Sequence, residues 1–103
     1  MLAIDSVVID MKRGVARRHG RPLRLQPRQF ELLEFLAHNA GKVVSRETLA
    51  RSVWRDPTAT WTNVITVTVH GLRRELEQDG VPAILHTVRG QGYRLGEPVD
   101  SAD

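Results

Sequence analysis

The apolar positions of the first quarter of the chain fall in short pieces. "LAI" (2–4), "VVID" (7–10), "GVAR" (14–17) and "PLRL" (22–25) are apolar or alternating, and Lys12-Arg13-Gly14 and His19-Gly20 separate the later ones. Alternation of this kind, broken by glycine turns, predicts a small antiparallel meander over about 2–25. From Pro27 the spacing lengthens. Phe30, Leu33, Leu36, Ala37 and Ala40 recur at helical intervals, Pro27 suits a first helical turn, and Asn39 to Gly41 reads as a stop. "SRETLARSVW" (45–54) predicts a second helix. In it Ser45 is placed as N-cap, Glu47 near the positive end of the dipole, and Leu49 and Val53 on one face. Pro57 then breaks "RDPTATW" (55–61) into a loop.

The next stretch, "TNVITVTVHG" (62–71), carries two patterns at once. Val64 to Val69 is an unbroken β-branched run with strand-like alternation, and His70-Gly71 could close it. Read on to "LRREL", however, Ile65, Val69, Leu72 and Leu76 form one apolar helical stripe, which Thr62 or Asn63 could cap. The helix would sacrifice a few tenths of a kcal/mol at each β-branched residue and about 1 at Gly71, and packing can outweigh such local costs. Local pattern leaves both readings open. Beyond Gly80 and Pro82, "ILHTVRGQGYRL" (84–95) alternates, turns at Gly90-Gln91-Gly92 and alternates again, which predicts a β-hairpin.

Composition narrows the class. With 103 residues, 41% hydrophobic and 26% charged, the chain fits one packed domain over about 1–96, followed by an acidic tail, 97–103, expected to be flexible. No apolar run approaches a membrane span, and "LAIDSVVID" after Met1 is no secretory leader, so a cytoplasmic location is expected. The absence of cysteine removes disulfides and thiolate chemistry. The formal charge of +3 is uneven: Glu97, Asp100 and Asp103 offset a body at +6. That excess permits a nucleic-acid partner without demanding one.

Catalysis finds little support. His19, His38, His70 and His86 lack the pairing of a metal-binding helix. Ser45 is better placed as a cap than as a nucleophile, and "GQG" lacks the third glycine and following helix of a nucleotide loop. No cofactor, metal or catalytic residue is expected.

Three segments in order, "RQFELLEFLAHNAGKVVSRETLARSVW", "TNVITVTVHGLRREL" and "HTVRGQGYRL", resemble the effector domain of OmpR/PhoB-type bacterial response regulators. The resemblance covers about residues 2–95, and "TVRGQGYRL" (87–95) is its most specific part. It implies an α+β winged helix-turn-helix: an N-terminal four-stranded antiparallel sheet, three helices and a C-terminal hairpin wing. It makes about 62–78 a recognition helix for the DNA major groove and about 85–95 a wing for the minor groove. Family phosphate contacts fall on Trp54, Asn63, Thr68, His70, Arg73, Thr87 and Tyr93, and base contacts on Gly71 and Arg89. The family usually carries arginine or lysine at several of the positions held here by Asn63, His70 and Gly71, and an acid at Thr66. Gly71 would leave a base-reading position empty, so readout is expected to lean on Thr66, His70, Arg74 and the wing. Few cations imply a shallow salt dependence, from about four to six phosphates per subunit.

The bland readings run beside these. Trp54 fits core as well as contact. Trp61, with Pro57, would either touch RNA polymerase or simply anchor its loop. Tyr93 is expected to pack its ring under the wing with its hydroxyl free, and Arg17, Arg18, Arg21 and Arg24 to form a solvated sheet face. The resemblance further implies a promoter direct repeat bound head to tail, a receiver domain in the full-length protein, no membrane, and a mainly monomeric isolated domain. A winged helix used for protein contact or RNA binding is the alternative.

Overall fold

The computed structural model describes residues 1–96; the acidic tail expected at 97–103 lies outside the described residues. A four-stranded antiparallel sheet comes first, in the order β1 (Leu2–Ile4), β2 (Val7–Asp10), β3 (Val15–Arg18), β4 (Arg21–Pro22). The predicted turns hold, with Gly14, His19 and Gly20 all at positive φ. The last strand is shorter than "PLRL": Arg21 and Pro22 pair with Arg18 and Arg17, and then Leu23 turns into the core.

Helix α1 runs Pro27–His38. Its start is braced by the Gln29 side chain, which accepts from the Gln26 N–H at 2.9 Å. Its end is braced by Asn39, whose Nδ2 donates to Phe35 O at 2.9 Å. Helix α2 (Arg46–Leu49) starts at Ser45, whose hydroxyl accepts from Thr48 N at 3.1 Å as the cap assignment predicts. The predicted helix to Trp54 does not stay α: Ala50–Trp54 widens into a π-helical turn, closed by Arg55 at φ 55°. The expected loop has structure of its own, a 3₁₀ turn at Pro57–Trp61 started by Asp56, which accepts from Thr58 N at 3.0 Å.

The disputed segment is helix: α3 spans Val64–Leu76. Asn63 makes no side-chain cap bond; Thr62 serves instead, accepting from Val64 N at 3.3 Å and donating to Ala59 O at 3.1 Å. Ile65, Val69, Leu72 and Leu76 are all essentially fully buried. Burying four such side chains is worth roughly 6–12 kcal/mol, against about 2–3 for the β-branched run and Gly71. Tertiary packing therefore overrides local strand preference.

The wing is β5 (Leu85–Val88) paired with β6 (Gly92–Leu95). Its turn is Arg89–Gln91, so Gly92 is strand rather than turn. Gly92 has φ 146°, and a Cβ there would run into the backbone of Val44 and Ser45. That close approach lets Val44 bridge to Tyr93 and fixes the wing to the start of α2.

One surface assignment fails. Arg18 is only 2% exposed, not solvated. It alternates with Arg17 along β3, so its side chain points inward, where it donates to Ser6 Oγ (3.1 Å), Leu76 O (2.6 Å) and Pro82 O. The last carbonyls of a helix lack intrahelical donors, and Arg18 supplies one at the end of α3. Arg21 also turns to that end, bonding Gln78 and facing Asp79 at 3.6 Å. Arg17 and Arg24 are exposed as expected.

Candidate nucleic-acid interface

One side of α3 is fully committed to the core, which sets what the other side presents. Opposite Ile65, Val69, Leu72 and Leu76 lie Asn63, Val67, His70 and Arg74, at helical intervals of four, three and four. All four are exposed. Among the described residues, the side chains of Asn63, His70 and Arg74 make no hydrogen bond or ion pair. No acidic residue occurs between Asp56 and Glu75, nor between Asp79 and Glu97, so neither this ridge nor the wing carries negative charge. Arg89 stands exposed in the wing turn.

Val67 went unnoticed in the sequence because its alternation with Ile65 and Val69 suggested a shared apolar role. It is 58% exposed in the middle of the ridge, with no core contact to justify an apolar residue. Its helical phase, 200° from Ile65, was the available signal.

The flank of α3 that faces the wing is different in kind. Arg73 Nε donates to Leu85 O at 3.0 Å, and its Nη2 donates to Thr87 Oγ1 at 2.8 Å. The two expected phosphate contacts, Arg73 and Thr87, are therefore bonded to each other and tie α3 to β5. Thr66 Oγ1 accepts from Arg46 Nη1 at 3.0 Å, and the Tyr93 hydroxyl accepts from the same nitrogen at 3.2 Å. Tyr93 packs its ring as expected, at 6% exposure, but its hydroxyl is not free. Arg46 was not foreseen, since its four acceptors lie 14 to 47 residues away.

Two further expectations meet local geometry. The Thr68 hydroxyl donates back to Val64 O at 2.8 Å, which directs its hydrogen into its own helix rather than toward a phosphate. Gly71 faces α1: a Cβ there would meet the Gln29 side-chain amide. It is a close-packing position between two helices, so its lack of a side chain leaves no gap in the outward ridge.

Trp54 is half-buried against the core, with the Arg28 guanidinium 5.7 Å from its ring centroid. Its indole N–H takes no partner among the described residues. Trp61 is 82% exposed at the end of the 3₁₀ turn that begins at Pro57, so its ring anchors nothing.

The arrangement resembles known proteins closely. A profile of the family described as "Transcriptional regulatory protein, C terminal" matches residues 20–95. The transcriptional regulatory protein CutR of Streptomyces coelicolor is 40% identical over 89 residues, or 86% of this chain and 40% of CutR. The DNA-binding domain of CpxR from E. coli superposes with a TM-score of 0.78 at 35% identity, covering 92% of this chain and 94% of that one. The DNA-binding domain of the response regulator AdeR, solved in complex with an intercistronic region, gives a TM-score of 0.79 at 27% identity, covering 90% of this chain and 96% of that one. The chain spans about 40% of the length of the curated relatives it matches.

Proposed function

Since the chain belongs to the C-terminal, winged-helix domain family of OmpR/PhoB-type transcriptional regulators, we propose that it binds double-stranded DNA sequence-specifically and regulates transcription. The observation that carries this reading is the outward ridge of α3. Asn63, Val67, His70 and Arg74 are exposed and, among the described residues, make no side-chain hydrogen bond or ion pair, beside a wing turn carrying Arg89. An α-helix fits the major groove, and a cation fits the narrow minor groove.

In this reading His70 and Arg74 reach base edges, Val67 meets a thymine methyl, and Arg89 enters the minor groove. Asn63 and the Trp54 indole N–H are donors to phosphate, which fixes register without carrying sequence. Arg73 and Thr87 act first as the brace between helix and wing. Two domains would sit head to tail on a direct repeat, one helical turn apart. The exposed Trp61 and Pro57 would meet a protein partner, RNA polymerase being the natural one at a promoter. A receiver domain would accompany this one in the full-length protein. The chain would work in the cytoplasm, and we assign it no catalysis. Gly71 no longer favours protein contact or RNA binding, because it packs against α1.

Selection of bound duplexes from a random pool tests the assignment. A consensus should emerge, and Arg89→Ala and His70→Ala should weaken or blur it. Unchanged enrichment in both variants would refute the site.

A further inference from the structure

Arg46 is half-buried at the junction of α2, the 3₁₀ turn, α3 and the wing. Besides Thr66 Oγ1 and the Tyr93 hydroxyl, it donates through Nη2 to Thr60 O at 3.4 Å and Thr62 O at 3.3 Å. Each Nη carries two hydrogens and no acceptor, so all four of these hydrogens are directed into the protein. The guanidinium has no carboxylate partner among the described residues.

This fixes the polarity of two hydroxyls. Arg46 cannot accept, so Thr66 and Tyr93 must each accept from it, and each retains its own hydrogen. Among the described residues, neither hydroxyl donates to a protein acceptor. Both oxygens lie within 3.2 Å of a single nitrogen, close enough to serve one tetrahedral anion. Tyr93 lines the groove between α2 and the wing together with Arg46, Thr87 and Gln91, and Glu47 is the one carboxylate on its wall. Phosphate oxygens only accept, and a donor polarised by a cation behind it makes a stronger bond.

We propose that Arg46 is a positioning residue that presets the Thr66 and Tyr93 hydroxyls as paired donors to one phosphate of bound DNA. The inference rests on the duplex-binding reading above. It also departs from the sequence expectation for Thr66, which here contacts backbone rather than a base. Arg46 itself touches no phosphate.

The test compares the 103-residue chain with Arg46→Gln, Tyr93→Phe and the double variant on one fixed mixed-sequence duplex, over a range of salt concentrations. Tyr93→Phe should weaken binding about tenfold, as loss of a charge-assisted bond does. Arg46→Gln should weaken it at least as much with the log–log salt slope unchanged, because neutral donors release no counterions. In the Arg46→Gln background, Tyr93→Phe should then cost little. Additive losses, with the slope reduced by about 0.9, would make Arg46 a phosphate ligand and overturn the proposal. Should Arg46→Gln unfold, Tyr93→Phe and Thr66→Val remain: each should weaken binding at temperatures where the variant is fully folded, and unchanged affinity in both would overturn the proposal. A parent chain that binds no duplex would overturn the DNA-binding reading along with it, whereas additive losses in a binding parent overturn the Arg46 proposal alone.

Discussion

The two polar surfaces of α3 carry similar residue types and are used in opposite ways. On the outward ridge, Asn63, His70 and Arg74 have no hydrogen-bond or ion-pair partner among the described residues. On the wing-facing flank, Arg73 is bonded to Leu85 O and Thr87, and Thr66 is held by Arg46 together with Tyr93. Two adjacent arginines, Arg73 and Arg74, thus fall on opposite sides of the division through the 100° step between helical neighbours. The difference teaches that a cation near a binding surface is not necessarily a contact. The flank sets where the wing stands relative to the helix, and the ridge supplies the groups a ligand meets.

The sharpest way to break this comparison is Arg73→Ala. A braced residue should cost stability, here about 1.5–3 kcal/mol for bonds to a charged donor, read from denaturant unfolding. Duplex affinity should fall with it as the wing loses its brace. If affinity drops while stability stays fixed, Arg73 belongs with the ridge. Arg89→Ala should behave the opposite way. Its stability should stay within about 0.5 kcal/mol, since the side chain is exposed and makes no hydrogen bond or ion pair among the described residues. Affinity should fall about tenfold, and the salt slope should lose about 0.9 if one phosphate is given up. His70→Arg adds a fixed cation to the ridge. Affinity should rise a few-fold and the slope should steepen by about 0.9, with no change in stability. An unchanged slope would place His70 away from the backbone.

Gly71→Ala should do least of all. Alanine favours helix by about 1 kcal/mol, but the Gln29 amide must move, which disturbs its bond to Gln26 N and costs a similar amount. Stability should shift by less than about 0.5 kcal/mol and affinity should not shift. A large change in affinity would return Gly71 to the groove.

These divisions also mark how far the sequence was legible. Element order, the Pro27 and Ser45 starts and the hairpin follow from local chemistry: glycine turns, caps and alternation act over a few residues. α3 could not be decided locally, because its β-branched run favours strand and only burial of Ile65, Val69, Leu72 and Leu76 reverses the balance. The resemblance to a family decided it in advance. Arg18, Arg46 and Arg73 could not be read at all, since their acceptors lie up to 64, 47 and 14 residues away. A long flexible cation finds its partner only once the chain has folded. The same limit kept the packing of Gly71 against the Gln29 side chain of α1 out of reach of the sequence.

The central claim is that duplex DNA is held by a lightly charged ridge and a single wing cation, with most polar groups at the junction turned inward. Titrating the chain with a selected duplex and a single-stranded RNA of equal length, across a salt series, tests it most directly. The account predicts preference for the duplex, with a log–log slope no steeper than roughly −5 per subunit, the ceiling that about six neutralised phosphates would set. Preference for the RNA, or a slope near the roughly −9 of a ten-phosphate protein, would contradict it.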